Sequence, residues 1–139
     1  MVQTVRDVMT ANPVTIDASQ PVLEAARLMR AADTGVLVVT ADGAVHGVVT
    51  DRDITVRAVA DGRDVATTPV SDVASTDVES VGPDASLTQV VQTMRSRAVR
   101  RVPVVEGGRV VGIVSIGDLA LEVDPSSALA DVSAAPSDQ

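Results

Sequence analysis

The sequence contains no cysteine, no lysine and no phenylalanine, tyrosine or tryptophan. Without cysteine there is no disulfide, no thiolate nucleophile and no cysteine-based metal site. Without aromatic rings there is no stacking platform for single-stranded nucleic acid, and the core must be aliphatic. His46 is the only histidine, so neither a zinc site nor a nucleophile activated by histidine is expected. We therefore predict no catalytic and no metal-ligating residues.

Two further absences concern location and partners. No apolar run approaches the roughly 18 residues of a membrane helix, and residues 1–7 lack the basic start and apolar run of a signal peptide. The 19 acidic residues outnumber the 11 basic ones, all arginine, and give a net charge of −8. This charge disfavours binding to the phosphates of nucleic acid. We expect a soluble cytoplasmic protein with neither a nucleic-acid nor a membrane partner.

What the chain does contain is an internal repeat. Residues 5–54 and 70–119 correspond at a constant offset of 65, without a gap. The closing stretches are Gly47-Val48-Val49-Thr50-Asp51-Arg52-Asp53-Ile54 and Gly112-Ile113-Val114-Ser115-Ile116-Gly117-Asp118-Leu119. A length of 139 residues fits one compact domain or two small repeats that share one core.

Each copy is predicted to form a short helix, a short strand, an amphipathic helix, a hairpin of two strands and a last helix. The 29 valines favour strands. In the first copy Val14-Thr15-Ile16 is the predicted short strand, and Ser19 is the predicted cap of the amphipathic helix. The last helix is expected from about Asp51 to Ala60 in the first copy, and from about Gly117 to Val123 in the second.

The repeat also predicts the domain boundaries. We assign residues 1–61 to the first repeat, 62–69 to a linker and 70–123 to the second repeat. Residues 124–139 are rich in Pro, Ser, Ala and Asp and have no sustained period, so we predict a disordered tail.

The closing motif places a hydroxyl three residues before a carboxylate, as Thr50 with Asp53 and as Ser115 with Asp118. This spacing is that of a capping box, although the usual acid is Glu or Gln. The same pattern at a strand-to-helix junction suits a ribonucleotide. The hydroxyl and the helix N–H groups suit a phosphate, and the carboxylate suits the vicinal diol of ribose. Spacing alone leaves both interpretations open.

The pattern Gly-h-h-Thr/Ser-x-x-Asp-h, where h is apolar, resembles the closing motif of the CBS domain, named after cystathionine beta-synthase. Arg6-Asp7-Val8-Met9-Thr10 and Arg100-Arg101-Val102-Pro103-Val104-Val105 are further matches, and the resemblance covers about residues 4–123. It implies an α/β fold of the α+β type, with two tandem CBS repeats that form a Bateman module. Each repeat would be a small sheet packed with helices, and the two would be related by a pseudo-twofold axis with ligand clefts between them.

The resemblance also implies a ligand and its contacts. CBS pairs commonly bind AMP, ADP or ATP, sometimes S-adenosylmethionine or NAD, and require no cofactor. Asp53 and Asp118 would hold the ribose hydroxyls, and Thr50 and Ser115 would contact phosphate. The residues that would enclose adenine are Ile16, Val36 and Val38 in the first copy and Val81 and Pro103 in the second.

One basic pair breaks the symmetry of the copies. Arg100 and Arg101 match a pair that reaches phosphates in this family, and either could instead pair with nearby acids. The first copy has Gly35 and Val36 at these positions. The two clefts are therefore expected to differ in affinity, or only one to bind.

The resemblance thus implies a non-catalytic sensor of adenine nucleotides that signals through its conformation or through a homodimer. One alternative is a ligand-free interaction or dimerisation module in which the motif residues only cap helices. A second is a regulatory subunit of a separately encoded enzyme or transporter. An inosine monophosphate dehydrogenase is excluded, because its catalytic barrel needs a couple of hundred residues and a cysteine nucleophile.

Overall fold

The computed structural model describes residues 3–76 and 78–120, so the predicted tail at 124–139 lies outside the described residues. The helices are α1 (Val5–Val8), α2 (Val22–Ala32), α3 (Asp51–Ile54), α4 (Leu87–Arg97) and α5 (Ile116–Ala120). The strands are β1 (Thr10–Ala11), β2 (Thr15–Asp17), β3 (Val36–Ala41), β4 (Ala44–Thr50), β5 (Arg101–Glu106) and β6 (Arg109–Ser115). The predicted α+β fold class is confirmed.

One compact unit is formed by residues 14–76 and 78. Its sheet has the order β2-β3-β4, with β2 parallel to β3 and β3 antiparallel to β4. The apolar face of α2 packs on one side of this sheet, as the i, i+3, i+7 spacing of Val22, Ala25 and Met29 predicts. The sheet contributes Leu37, Val39 and other residues to the same aliphatic core.

The other compact unit is formed by residues 3–13 and 79–120. Its sheet has the order β1-β6-β5, and both pairings are antiparallel. Val90, Val91 and Met94 of α4 are buried in its core with Val102, Val104 and Val114 of the sheet. The two hairpins match closely, because each strand pair has the same lengths and the same irregularity in register.

The leading segment of each sequence repeat packs in the unit of the other repeat. In the first unit Ser75, from the second repeat, exchanges two backbone hydrogen bonds with Val48, at 2.8 and 3.0 Å. In the second unit Thr10, from the first repeat, pairs with Ile113. These positions correspond at the offset of 65, so the exchange is the same in both directions. The compact units therefore do not coincide with the sequence repeats.

The predicted linker, residues 62–69, is packed into the first unit. Val22 N–H donates to the Thr68 carbonyl at 2.8 Å, and Leu23 N–H donates to the Val65 carbonyl at 2.9 Å. These carbonyls satisfy the first N–H groups of α2, which otherwise lack partners. The backbone carbonyls of residues 65 and 68 thereby cap α2 in place of a side chain.

The predicted cap at Ser19 is wrong. Pro21 occupies the N-cap position of α2, and no side chain caps this helix. Ser19 instead donates from its backbone N–H and its hydroxyl to Asp17 Oδ1, at 2.9 and 2.6 Å. The Ser19 hydroxyl and the Ser19 N–H hold the pKa of the Asp17 carboxyl below its usual value, because both donate to its charged form. The turn before α2 is therefore closed by Asp17.

The helix predicted from about Asp51 to Ala60 changes type along its length. It is α-helical over Asp51–Ile54 and continues with π-helical hydrogen bonding over Thr55–Val59. In this π-helical segment Val56 is 44% and Val59 60% exposed. These are the exposed large apolar side chains of the part of the chain that the structure describes.

Gly47 allows the exchanged segment to approach. A Cβ atom built on Gly47 would overlap the Ser75 carbonyl oxygen. We predict that Gly47→Ala lowers the free energy of unfolding by about 1–3 kcal/mol, the usual cost of overpacking. Because the chain lacks Trp and Tyr, urea unfolding would be followed by far-UV circular dichroism.

Gly82→Ala is the matched control, since a Cβ on Gly82 meets no atom within 4 Å and its φ is not positive. It should leave the urea midpoint within error of the parent. Equal midpoints for Gly47→Ala and Gly82→Ala would contradict the close approach at Ser75.

Candidate functional site

Both predicted hydroxyl–carboxylate pairs form closed capping boxes. Asp53 N–H donates to Thr50 Oγ1 at 3.1 Å, and Thr50 N–H donates to Asp53 Oδ2 at 2.9 Å. In the second copy, Asp118 N–H donates to Ser115 Oγ at 3.2 Å, and Ser115 N–H donates to Asp118 Oδ2 at 2.9 Å. The strand end and the first helical turn are thus locked together in both copies, as a capping box requires.

The boxes use only part of each carboxylate. In both copies Oδ2 accepts the backbone N–H, and Oδ1 has no hydrogen bond to another described residue. An ionised carboxylate has about four lone-pair positions. Each aspartate therefore keeps acceptor capacity for a second group while it closes its box, and the two interpretations of the motif are compatible.

Three predicted residues of the first copy lie on one face of their sheet. Val36 is the cross-strand partner of Thr50, and Val38 is the partner of Val48. The alternate residues Leu37 and Val49 point into the core, so Val36, Val38 and Thr50 lie on the opposite face. Val38 is fully buried and Val36 half-buried. We call Val36, Val38, Thr50 and Asp53 the first site.

The second copy repeats this arrangement with different chemistry. Arg101 is the cross-strand partner of Ser115, and Pro103 is the partner of Ile113. Their neighbours Val102 and Val114 belong to the core, so Arg101, Pro103 and Ser115 share the opposite face. We call Arg101, Pro103, Ser115 and Asp118 the second site.

Two of the predicted adenine contacts lie elsewhere. The structure puts Ile16 in the core of the first unit, beside Val39 in register, and puts Val81 in the core of the second unit, bridged to Val104. On β2 the residue beside Val38 is Thr15. Strict alternation within Val14-Thr15-Ile16, counted against the core positions of β3, is the sequence signal that could have predicted that Thr15, and not Ile16, lies beside Val38.

The basic pair is split by the start of β5. Arg101 begins the strand, whereas Arg100 precedes it and its carbonyl accepts a hydrogen bond from Ile116 N–H at 2.9 Å. The matched bond in the first copy runs from Asp51 N–H to the Gly35 carbonyl at 3.0 Å. Asp51 also covers Gly35, since a Cβ on Gly35 would lie 3.1 Å from Asp51 Oδ2. Sequence reasoning missed this carboxylate, because only the fold brings residues 35 and 51 together.

No group of three or more His, Asp or Glu side chains within residues 3–76 and 78–120 is arranged to hold a metal ion. Across the same residues, no helix has the length and apolar character needed to cross a membrane.

The chain is a tandem-repeat module of two α+β units. Each unit has a capping box at the end of its hairpin and contains the leading segment of the other repeat. Residues 5–59 and 70–124 match the CBS domain family. The chain therefore belongs to the CBS domain family, as a CBS pair and a regulatory module.

Similar proteins agree with this assignment. The CBS domain-containing protein YhcV of Bacillus subtilis is 43% identical over 117 residues, 84% of this chain and 83% of YhcV. Hypoxic response protein 1 of Mycobacterium tuberculosis is 36% identical over 118 residues, 84% of this chain and 82% of that protein.

Solved structures share the fold. Hypoxic Response Protein I, crystallised with two coordinated zinc ions, is 34% identical with a TM-score of 0.79, covering 87% of this chain and 99% of that one. The CBS domain pair of protein MJ0100, in complex with 5′-methylthioadenosine and S-adenosyl-L-methionine, has a TM-score of 0.77 and covers 87% of this chain and 95% of its own. At 24% identity, the second likeness is one of fold alone.

The boxes predict a measurable stability effect without any ligand. Asp53→Ala removes the acceptor for Thr50 N–H, so we expect the free energy of unfolding to fall by about 0.5–2 kcal/mol, as for other N-terminal caps. Urea unfolding measures this change. Asp61→Ala removes the same charge from an exposed turn and should change stability by less than about 0.5 kcal/mol. Equal effects of the two substitutions would show that the box does not stabilise the fold.

Proposed function

We propose that this chain is a non-catalytic sensor that binds an adenine nucleotide and passes the binding event to a partner protein. The observation that carries the proposal is the duplicated box. In each copy, an aspartate with a spare Oδ1 lies beside a hydroxyl at the end of a strand. This arrangement offers an acceptor to a ribose diol and a donor to a phosphate.

The apolar residues of the site face support a purine. Val36 and Val38 in the first site, and Pro103 in the second, lie on the same sheet faces as the hydroxyls. Apolar side chains beside a few polar groups are the usual lining of a small-molecule site. AMP, ADP and ATP are the first ligands to test. S-adenosylmethionine, bound by the fold relative MJ0100, and NAD come next.

Zinc is a weaker candidate for this chain. The zinc ions are a property of Hypoxic Response Protein I. This sequence has no cysteine and one histidine, His46, whereas tight zinc sites use several Cys or His ligands. Zinc therefore enters the ligand panel as a comparison.

Ligand binding would act by shifting a population. A ligand that binds one conformation more tightly than another moves the equilibrium by its difference in affinity. The partner that responds would be a separately encoded enzyme or transporter. A ligand-free interaction module remains the rival function, and the titration below distinguishes the two.

A titration tests the sensor function. With a ligand at about 100 times its dissociation constant, the free energy of unfolding should rise by about 2.7 kcal/mol. A thermal-shift series with AMP, ADP, ATP, S-adenosylmethionine, NAD and zinc, read with an added dye, measures it. No shift with any nucleotide or adenosine compound would leave the ligand-free module as the function.

Asp118→Asn separates ribose binding from capping. The amide oxygen can still accept from Ser115 N–H, so the box and the fold should persist. The amide nitrogen cannot accept from a ribose hydroxyl, and we expect about 10- to 100-fold weaker binding, the value of a hydrogen bond to a charged group. Calorimetric titration with the nucleotide measures this loss of affinity. Asp61→Asn, at an exposed turn, is the control and should bind like the parent.

We further propose that the chain forms a homodimer through the helical segment that follows β4. Val56 and Val59 are exposed there, and apolar surface of this kind favours association. Val59→Glu should shift the mass measured by sedimentation equilibrium from dimer to monomer, whereas Thr67→Glu, at another exposed position of the same unit, should not. A parent protein that sediments as a monomer would contradict the dimer.

A further inference from the structure

We propose that the two sites divide adenosine ligands by charge. The second site takes an adenine nucleotide with a 5′ phosphate, and the first site takes an adenosine compound whose 5′ group has no negative charge. This inference rests on the proposed adenine-nucleotide function and assigns a different ligand class to each of its two sites.

The cross-strand partner of the box hydroxyl is the first difference. In the second site Arg101 lies directly opposite Ser115, and in the first site Val36 lies directly opposite Thr50. Directly opposed residues have Cβ atoms about 4.5–5.5 Å apart on the same face. A guanidinium beside the hydroxyl can donate two parallel hydrogen bonds to a phosphate. A valine at the same position offers none.

A carboxylate at the same end of the first sheet is the second difference. Asp51 Oδ2 lies over Gly35, the residue before Val36, and Asp51 Oδ1 accepts from Arg52 N–H at 2.9 Å. The matched residue in the second copy is Ile116, which packs against the core. The first site therefore has a second negative charge at the position where the second copy has an apolar side chain.

The positive charge of Arg52 does not cancel the two negative charges of Asp51 and Asp53. Arg52 is exposed, and with Asp51, Thr55 and Val56 it lines an open depression of about 240 Å³ beside α3. Asp51, Arg52 and Asp53 together have a formal charge of −1, whereas the charges of Arg101 and Asp118 cancel. A phosphate would meet net repulsion at the first site and the donor groups of the Arg101 guanidinium at the second.

The residues that we propose to contact adenine and ribose have the same backbone geometry in both sites. The registers Val36 with Thr50 and Arg101 with Ser115 coincide at the offset of 65, and both boxes close with the same four atoms. Both sites can therefore accept the adenosine part of a ligand. The substituent at the 5′ position is where they differ.

Calorimetric titration of the full chain with AMP and with adenosine tests the division. We expect one AMP per chain, and adenosine still binding at a further site when AMP is saturating. Arg101→Val, which installs the residue of the first copy, should weaken AMP at least about tenfold, the value of a charge-assisted hydrogen bond, and leave adenosine affinity unchanged. Arg101→Gln repeats the test if the valine variant unfolds at a lower urea concentration than the parent.

Arg52→Ala is the matched control, because Arg52 belongs to the first unit and lies outside the second site, where AMP is expected to bind. It should leave AMP affinity unchanged. The reciprocal double variant, Val36→Arg with Asp51→Ala, should raise the stoichiometry to two AMP per chain. Two equal AMP sites in the parent, or equal losses in Arg52→Ala and Arg101→Val, would overturn the division of ligands while the sensor function stands. Absence of binding by both AMP and adenosine would overturn the division and the proposed adenine-nucleotide function together.

Discussion

The backbone pairing between the leading segment of one repeat and the last hairpin strand of the other is the constraint on which the rest of the structure depends. Ser75 bonds to Val48 through both backbone groups, and Gly47 provides the room. The pairing brings Val70, Val73 and Ala74 into the first core. Val5 of the first repeat is buried in the second core in the same way. Neither core is complete without residues from both repeats, so the duplication is required for the fold.

The boxes show how one group serves both stability and recognition. The carboxylate of each capping aspartate is oriented by the backbone hydrogen bond that its Oδ2 accepts, so its remaining oxygen is positioned before a ligand arrives. A ligand that uses this oxygen meets a preorganised acceptor. A substitution of the aspartate by alanine changes both stability and binding. Asparagine keeps the capping hydrogen bond, and with it the stability, but loses the contact with the ligand. This is why the spacing Thr-x-x-Asp could not by itself distinguish a cap from a ribose contact.

The helices and hairpins that depend on local patterns could be predicted from the sequence. The features that depend on backbone distant in the chain could not. Helix periodicity identified α2 and α4. The predicted hairpin is closed by the Asp42-Gly43 turn, whose two φ angles are positive, as in the commonest two-residue hairpin turns. Ser19 was wrong as a cap because carbonyls some 45 residues away satisfy α2. The candidate sites followed from the repeat and from the family resemblance. The core positions of Ile16 and Val81 and the contact of Asp51 with Gly35 required strand register, which composition does not specify.

The exchange of leading segments also sets the order in which a nascent chain can complete its structure. The first unit consists of residues 14–76 and 78, so it can close soon after Val78 leaves the ribosome. Residues 3–13 must wait for β6, about a hundred residues later in the chain. At 5–20 residues per second this delay lasts roughly 5–20 s, far longer than the closure of a loop. Until then Val5 and Val8 of this segment lack the core they pack against and can be contacted by chaperones and proteases.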